Sequence, residues 1–115
     1  MRYALLVCSD ESAMDELTPE GAEQLAAAFD AFEAEMRARG VLAGRERLRP
    51  TSTATTVRVR SDDLVVADGP FAETKEQIAG FYLIECEDLD AAIEVASRVP
   101  AAQSGTIEVR PVWER

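Results

Sequence analysis

Two stretches, Tyr3–Cys8 and Ile78–Glu85, read as strands that are apolar on both faces, the second centred on Phe81-Tyr82-Leu83-Ile84. Strands of that kind belong in the middle of a sheet whose two faces are both covered. The rest of the chain offers two amphipathic helices to do the covering. The first opens at Thr18, a good N-cap, with Pro19 at the first helical position and Glu20 complementing the dipole. Its apolar face is Ala22, Leu25, Phe29, Phe32 and Met36, and Gly40 ends it as a left-handed cap. The second is capped by Asp88, shows Leu89, Ala92, Ile93 and Ala96 on one face, and stops at Pro100.

The remaining strands are more polar. Thr55–Arg60 alternates β-branched residues with arginine, Ser61-Asp62-Asp63 turns the chain, and Leu64–Ala67 returns. Val41–Thr53 reads as loop. Thr106–Trp113 is the last strand, with Ile107, Val109, Pro111 and Trp113 on one face and Pro111 suited to an edge. The order strand, helix, two hairpin strands, strand, helix, strand predicts an α+β fold. It is the ferredoxin-like split βαβ pattern, an antiparallel sheet with two helices on one face and one additional strand. The expected strand order is 106–113, 3–8, 78–85, 64–67, 55–60. Two helices cover one face only, so a second copy of the chain is expected on the other, packed sheet to sheet about a two-fold axis as a homodimer. Cys8 and Cys86 end antiparallel neighbours and fall at opposite edges of the sheet, too far apart for a disulfide.

At 115 residues the chain is expected to form one domain, residues 1–115. A net charge of −10 argues against a nucleic-acid partner, whose phosphates call for a basic footprint. The charge is uneven: Arg37 to Arg60 holds seven arginines against one acid, Glu46. This band suits an anionic ligand or, more simply, ion pairs with the acidic helices of its own fold or of a partner subunit. Histidine is absent, which removes the commonest general base and metal ligand, and two cysteines make no zinc pattern. No metal and no cofactor is called for. No apolar run approaches the ~20 residues that span a bilayer, and the N-terminal run lacks a convincing cleavage site, so a cytoplasmic protein with no membrane partner is expected.

The most distinctive segment is Asp68-Gly69-Pro70-Phe71-Ala72-Glu73-Thr74-Lys75-Glu76, which contains the only lysine among twelve basic residues. With Thr53-Ala54-Thr55-Thr56-Val57-Arg58, Ile78-Ala79-Gly80-Phe81-Tyr82-Leu83-Ile84 and the closing Ile107-Glu108-Val109-Arg110-Pro111, it resembles the YCII-related proteins of the DGPF subgroup over essentially the whole chain. The resemblance implies a ferredoxin-like subunit forming a dimeric α+β barrel, distantly similar to barrels that include muconolactone isomerases, dehydrochlorinases and small monooxygenases. It also implies association, in many bacterial members, with extracytoplasmic-function sigma factors. Shorter YCII-type proteins are thought to use a histidine–aspartate pair. Without histidine that chemistry does not carry over, and Asp68 is the only acid considered for a related role.

The expected topology gathers Ser9, Asp10, Thr53, Thr55, Asp68, Phe71, Thr74, Lys75 and Glu76 at one end of the barrel, where small ligands commonly bind. Asp68 suits a general acid or base if burial raises its pKa, and Lys75 suits an enolate or phenolate oxyanion. Phe71 suits an apolar wall, with Asp10, Thr53, Thr74 and Glu76 as further binding groups. Each has a plainer reading. Asp68-Gly69 is also turn chemistry, Phe71 a core plug, Lys75 a partner for Glu73, Glu76 or the partner subunit, and Thr51–Thr56 a strand lead-in. Tyr82 reads as core with a satisfied hydroxyl, and Trp113 as a dimer contact. Two functions remain open: a cofactor-free small-molecule-binding dimer or enzyme of lyase or isomerase type, and a non-catalytic regulatory module.

Overall fold

The computed structural model describes residues 1–114. Its central strands are β1 (Arg2–Ser9) and β5 (Gln77–Glu85), antiparallel with Leu5 opposite Tyr82 and Tyr3 opposite Ile84. β6 (Thr106–Pro111) pairs with the free side of β1, and β2 (Leu42–Arg47) with the free side of β5. The four-stranded order β2-β5-β1-β6 is that of the ferredoxin-like fold, and Pro111 lies on an edge strand as its missing N–H requires.

Here the expected strand order is corrected. The place beside β5 is taken by β2, from a segment read as loop, while β3 (Thr55–Arg60) and β4 (Asp63–Asp68) form a separate two-stranded sheet. Leu42-Ala43-Gly44-Arg45-Glu46-Arg47 has little β-propensity, and a register shift between Leu42 and Gly44 breaks its alternation. Strand pairing with the apolar β5 overrides that weakness, and the charges suit an exposed edge. The hairpin turns on Ser61 and Asp62, both with positive φ (50° and 67°), the two-residue geometry that matches strand twist.

The helices are α1 (Glu11–Asp15), α2 (Pro19–Ala38) and α3 (Leu89–Ser97). The Thr18 hydroxyl accepts from the Gly21 N–H at 3.0 Å, Asp88 from the Ala91 N–H at 2.9 Å, and Gly40 takes φ 71° after α2. Phe32 and Met36 of α2 and Ala92, Val95 and Ala96 of α3 pack on Tyr3, Leu5, Val7, Tyr82 and Ile84, forming one core on one face of the sheet. The apolar face expected for α3 is corrected by about a sixth of a turn: Val95 is buried, whereas Leu89 and Ile93 are half exposed. Both cysteines are free thiols. No helix among the described residues is long and apolar enough to cross a membrane.

Candidate functional site

The C-terminal end of β1 and the N-terminal end of β5 meet with Cys8 opposite Ile78 and Ser9 opposite Gln77, beyond a register shift. Asp10 follows and caps α1. Its carboxylate accepts from the Ser12 hydroxyl at 2.6 Å and the Ser12 N–H at 3.0 Å. Those bonds come first in holding Asp10 below the usual carboxylate range, with smaller help from the Ala13 N–H and the Lys75 ammonium. Lys75 is thereby placed within electrostatic reach of Asp10.

Glu11, one residue on, grips the segment between β2 and β3. Its two oxygens accept from the Thr51 N–H at 2.8 Å and the Thr51 hydroxyl at 2.9 Å. The short turn Thr51–Thr53 is thus pinned beside α1, and the Thr53 hydroxyl closes back on the Pro50 carbonyl at 2.7 Å. Asp68 pairs in register with Thr55 at the foot of the hairpin. Gly69, at φ 98°, donates its N–H to Ala54 at 2.7 Å, and its carbonyl accepts from the Thr56 hydroxyl at 2.6 Å. Asp68 itself is exposed, not buried as its expected role required. Phe71 is 82% exposed and plugs no core.

The tail of the motif folds on itself. The Thr74 hydroxyl donates to the Glu76 carbonyl, and the Gln77 amide donates to the Thr74 carbonyl. Gln77 Oε1 is left buried with no hydrogen-bond partner among the described residues. Glu76 and Glu108 lie near enough to Cys8 to add to the effect of burial, which comes first in pushing that thiol up; it is a poor nucleophile at neutral pH. Among the described residues no three carboxylate or thiol side chains cluster as a metal site.

The basic band divides. Arg37 and Arg45 pair with Glu33 at 3.7 and 2.8 Å, and Arg39 with Glu94 at 3.3 Å, as expected of pairing with the acidic helices. Arg47, Arg49, Arg58 and Arg60 make no ion pair among the described residues, nor does Lys75. Arg47 and Arg49 line, with Leu48 and Pro50, an open groove of about 280 Å³ just before Thr51.

Sequence reasoning missed Glu11, Gln77 and Glu33. Glu33 is buried between α2 and the sheet, accepting from the Tyr82 hydroxyl at 2.8 Å. Burial first, then the Glu33 carboxylate, raises the Tyr82 phenol far above its usual pKa near 10. The signal was available. Position 33 is four beyond Phe29 and three before Met36, so a carboxylate there interrupts an apolar stripe.

These features define an α+β chain of ferredoxin-like fold with a polar cluster at one end of its central strands. The chain belongs to the YCII-related family, whose model matches residues 1–115. It is 40% identical over 114 residues to an uncharacterised protein of Rhizobium meliloti (strain 1021), an alignment covering 97% of this chain and 92% of that protein.

Proposed function

We propose that this chain works as a cofactor-free homodimer that binds a small molecule at the Asp10–Lys75–Gln77 end of the sheet, with lyase- or isomerase-like proton transfer as the reaction class. The observation that carries this is Gln77. A buried amide oxygen without a partner is rare and expensive, and it belongs to a residue two positions after the one lysine of the chain. A ligand N–H or O–H would complete it. Lys75 would hold a developing enolate or phenolate oxygen, Phe71 would wall an apolar ring, and Asp68 would exchange a proton with the substrate. Thr53, Thr74 and Glu76 would frame the opening. The DGPF segment supplies most of these groups.

Native mass spectrometry of freshly purified protein, followed by denaturing release, tests the reading. A dimer carrying a stoichiometric small molecule is expected. Gln77→Leu and Lys75→Met should each lower occupancy at least about ten-fold, the cost of a lost buried or charged hydrogen bond, with unchanged circular dichroism. A dimer with no added mass, and no difference among these variants, would move the assignment to a non-catalytic regulatory module such as one acting with a sigma factor.

A further inference from the structure

We infer that the β3–β4 hairpin is an exchanged arm: its apolar face lies on the open sheet face of a second copy, whose own arm returns the contact. This rests on the dimer proposed above and adds which surfaces form it.

Val57 opposes Val66 and Val59 opposes Leu64, so four apolar side chains share one face of the hairpin. Each is 58–68% exposed. A two-stranded hairpin standing alone is marginal in water, so that face requires a cover. Its own chain does not supply one. The molecule is 18 Å thick, the depth of one helix layer on one sheet, and spreads to 48 × 45 Å in the other directions. The arm therefore extends the slab sideways instead of lying over its own sheet.

A second apolar surface is also uncovered. Leu6 opposes Phe81 and Ala4 opposes Leu83 on the face of β1 and β5 away from the helices. The areas indicate how large the cover must be. The chain exposes 8232 Å², whereas a compact monomer of 12.5 kDa exposes about 6,200 Å². Its radius of gyration is 16.1 Å, against about 13 Å for a compact chain of this length. The excess of about 2,000 Å² falls within the roughly 1,000–2,500 Å² that each subunit of an obligate homodimer gives up. Arm on arm would leave the sheet bare, and sheet on sheet would leave the arm bare. Arm on sheet, made twice about a two-fold axis, covers both.

Charge agrees. Among the described residues, the four arginines without an ion pair, at 47, 49, 58 and 60, lie on the arm and on the approach to it, in a chain whose remaining charge is strongly acidic. Arg58 and Arg60 alternate with Val57 and Val59 and so lie on the opposite face of the hairpin; Arg47 and Arg49, on the approach, are the two placed to meet carboxylates of a second copy. The site depends on the same contact. The arm leaves at Thr55 and returns at Asp68, which oppose each other in register, so a copy seated on the arm also borders Asp68 and Phe71. That copy provides the desolvation that Asp68 lacks alone.

A photoreactive benzophenone amino acid at position 57 tests this in a refolded mixture of isotope-labelled and unlabelled protein. Mixed-isotope crosslinks from position 57 to peptides holding residues 2–9 or 77–85 are expected. Mixed crosslinks only between hairpins, or crosslinks only within one chain of a dimer, would overturn the arm and leave the dimer standing. Separately, the pair Val59→Lys and Leu64→Lys, at side chains already exposed in the monomer, should raise the dimer dissociation constant at least about ten-fold. An unchanged constant would overturn the arm. A wild-type chain that is monomeric would remove this inference and the dimer together.

Discussion

Glu33→Ala is expected to destabilise the protein by about 2–3 kcal/mol, chiefly by orphaning the Tyr82 hydroxyl. Tyr82 is 5% exposed and its hydroxyl has no other partner among the described residues, so no water replaces the lost carboxylate at low cost. The two arginines contribute less than their geometry suggests. Arg45 and Arg37 have side chains 44% and 58% exposed, and each can turn to solvent when the carboxylate is gone. Arg45→Ala should accordingly cost under about 1 kcal/mol, and Tyr82→Phe about 1 kcal/mol. Urea unfolding of the three variants checks the order; equal losses at Glu33 and Arg45 would show that the ion pair, not the phenol, carries the energy.

Tyr82 also sets an alkaline limit. Its folded pKa lies above the unfolded value near 10, so the unfolded chain gives up the phenolic proton first. The contribution is fully present below pH 10 and declines as pH rises beyond it. Stability measured from pH 9 to pH 11 should fall less steeply in Tyr82→Phe, by as much as one proton's worth of slope. An identical slope in both proteins would mean that the phenol is neither buried nor held by Glu33 in solution. The network matters to the site because it ties α2 to β2 and β5. The segment that leaves β2 toward Thr51 starts from that anchored edge.

The double-sided apolar character of Tyr3–Cys8 and Ile78–Glu85 was enough to place both strands at the centre of the sheet, and Thr18, Gly40 and Asp88 marked their helix ends as caps should. The error lay where tertiary pairing outweighs local preference. Leu42–Arg47 carries a glycine and three charges and becomes a strand only because β5 has an unpaired side. The hairpin was legible as a hairpin, from its alternation and its turn, but its place was not, because nothing within Thr55–Asp68 distinguishes an added strand from an arm. For the site, Lys75 lies within electrostatic reach of Asp10, but the sheet order from which their convergence was expected is not the one observed. Glu11 was not legible as a clamp on Thr51, since that pairing spans forty residues with no local pattern to announce it. Nothing local marks Gln77, and only the geometry of β1 against β5 shows its oxygen buried.

Gly105→Ala should be the most damaging single methyl in the chain. A Cβ at position 105 would sit 2.2 Å from the Cys8 carbonyl oxygen and 3.3 Å from that of Ala101. Both neighbours are backbone, so neither can swing aside as a long side chain would. The Gly105 N–H is already committed to the Ala101 carbonyl at 2.7 Å, which fixes the glycine from its other side. Relief must come by prising β6 from β1 at Thr106 opposite Cys8. Overpacking of this kind costs about 3 kcal/mol, and for a domain of this size that lowers Tm by roughly 10 °C. Gly44→Ala is the control, because the nearest atom to its added methyl is Leu83 Cβ at an ordinary 3.9 Å. Thermal unfolding of the two variants decides the matter: a Gly105→Ala protein that melts with Gly44→Ala would show the β1–β6 join to be slack. The join carries more than stability, since Cys8 leads directly into Ser9 and Asp10. A shift of the Cys8 carbonyl moves the cap of α1, and with it the Glu11 clamp on Thr51, so on the small-molecule function proposed above occupancy should fall in Gly105→Ala at temperatures where the chain is still folded.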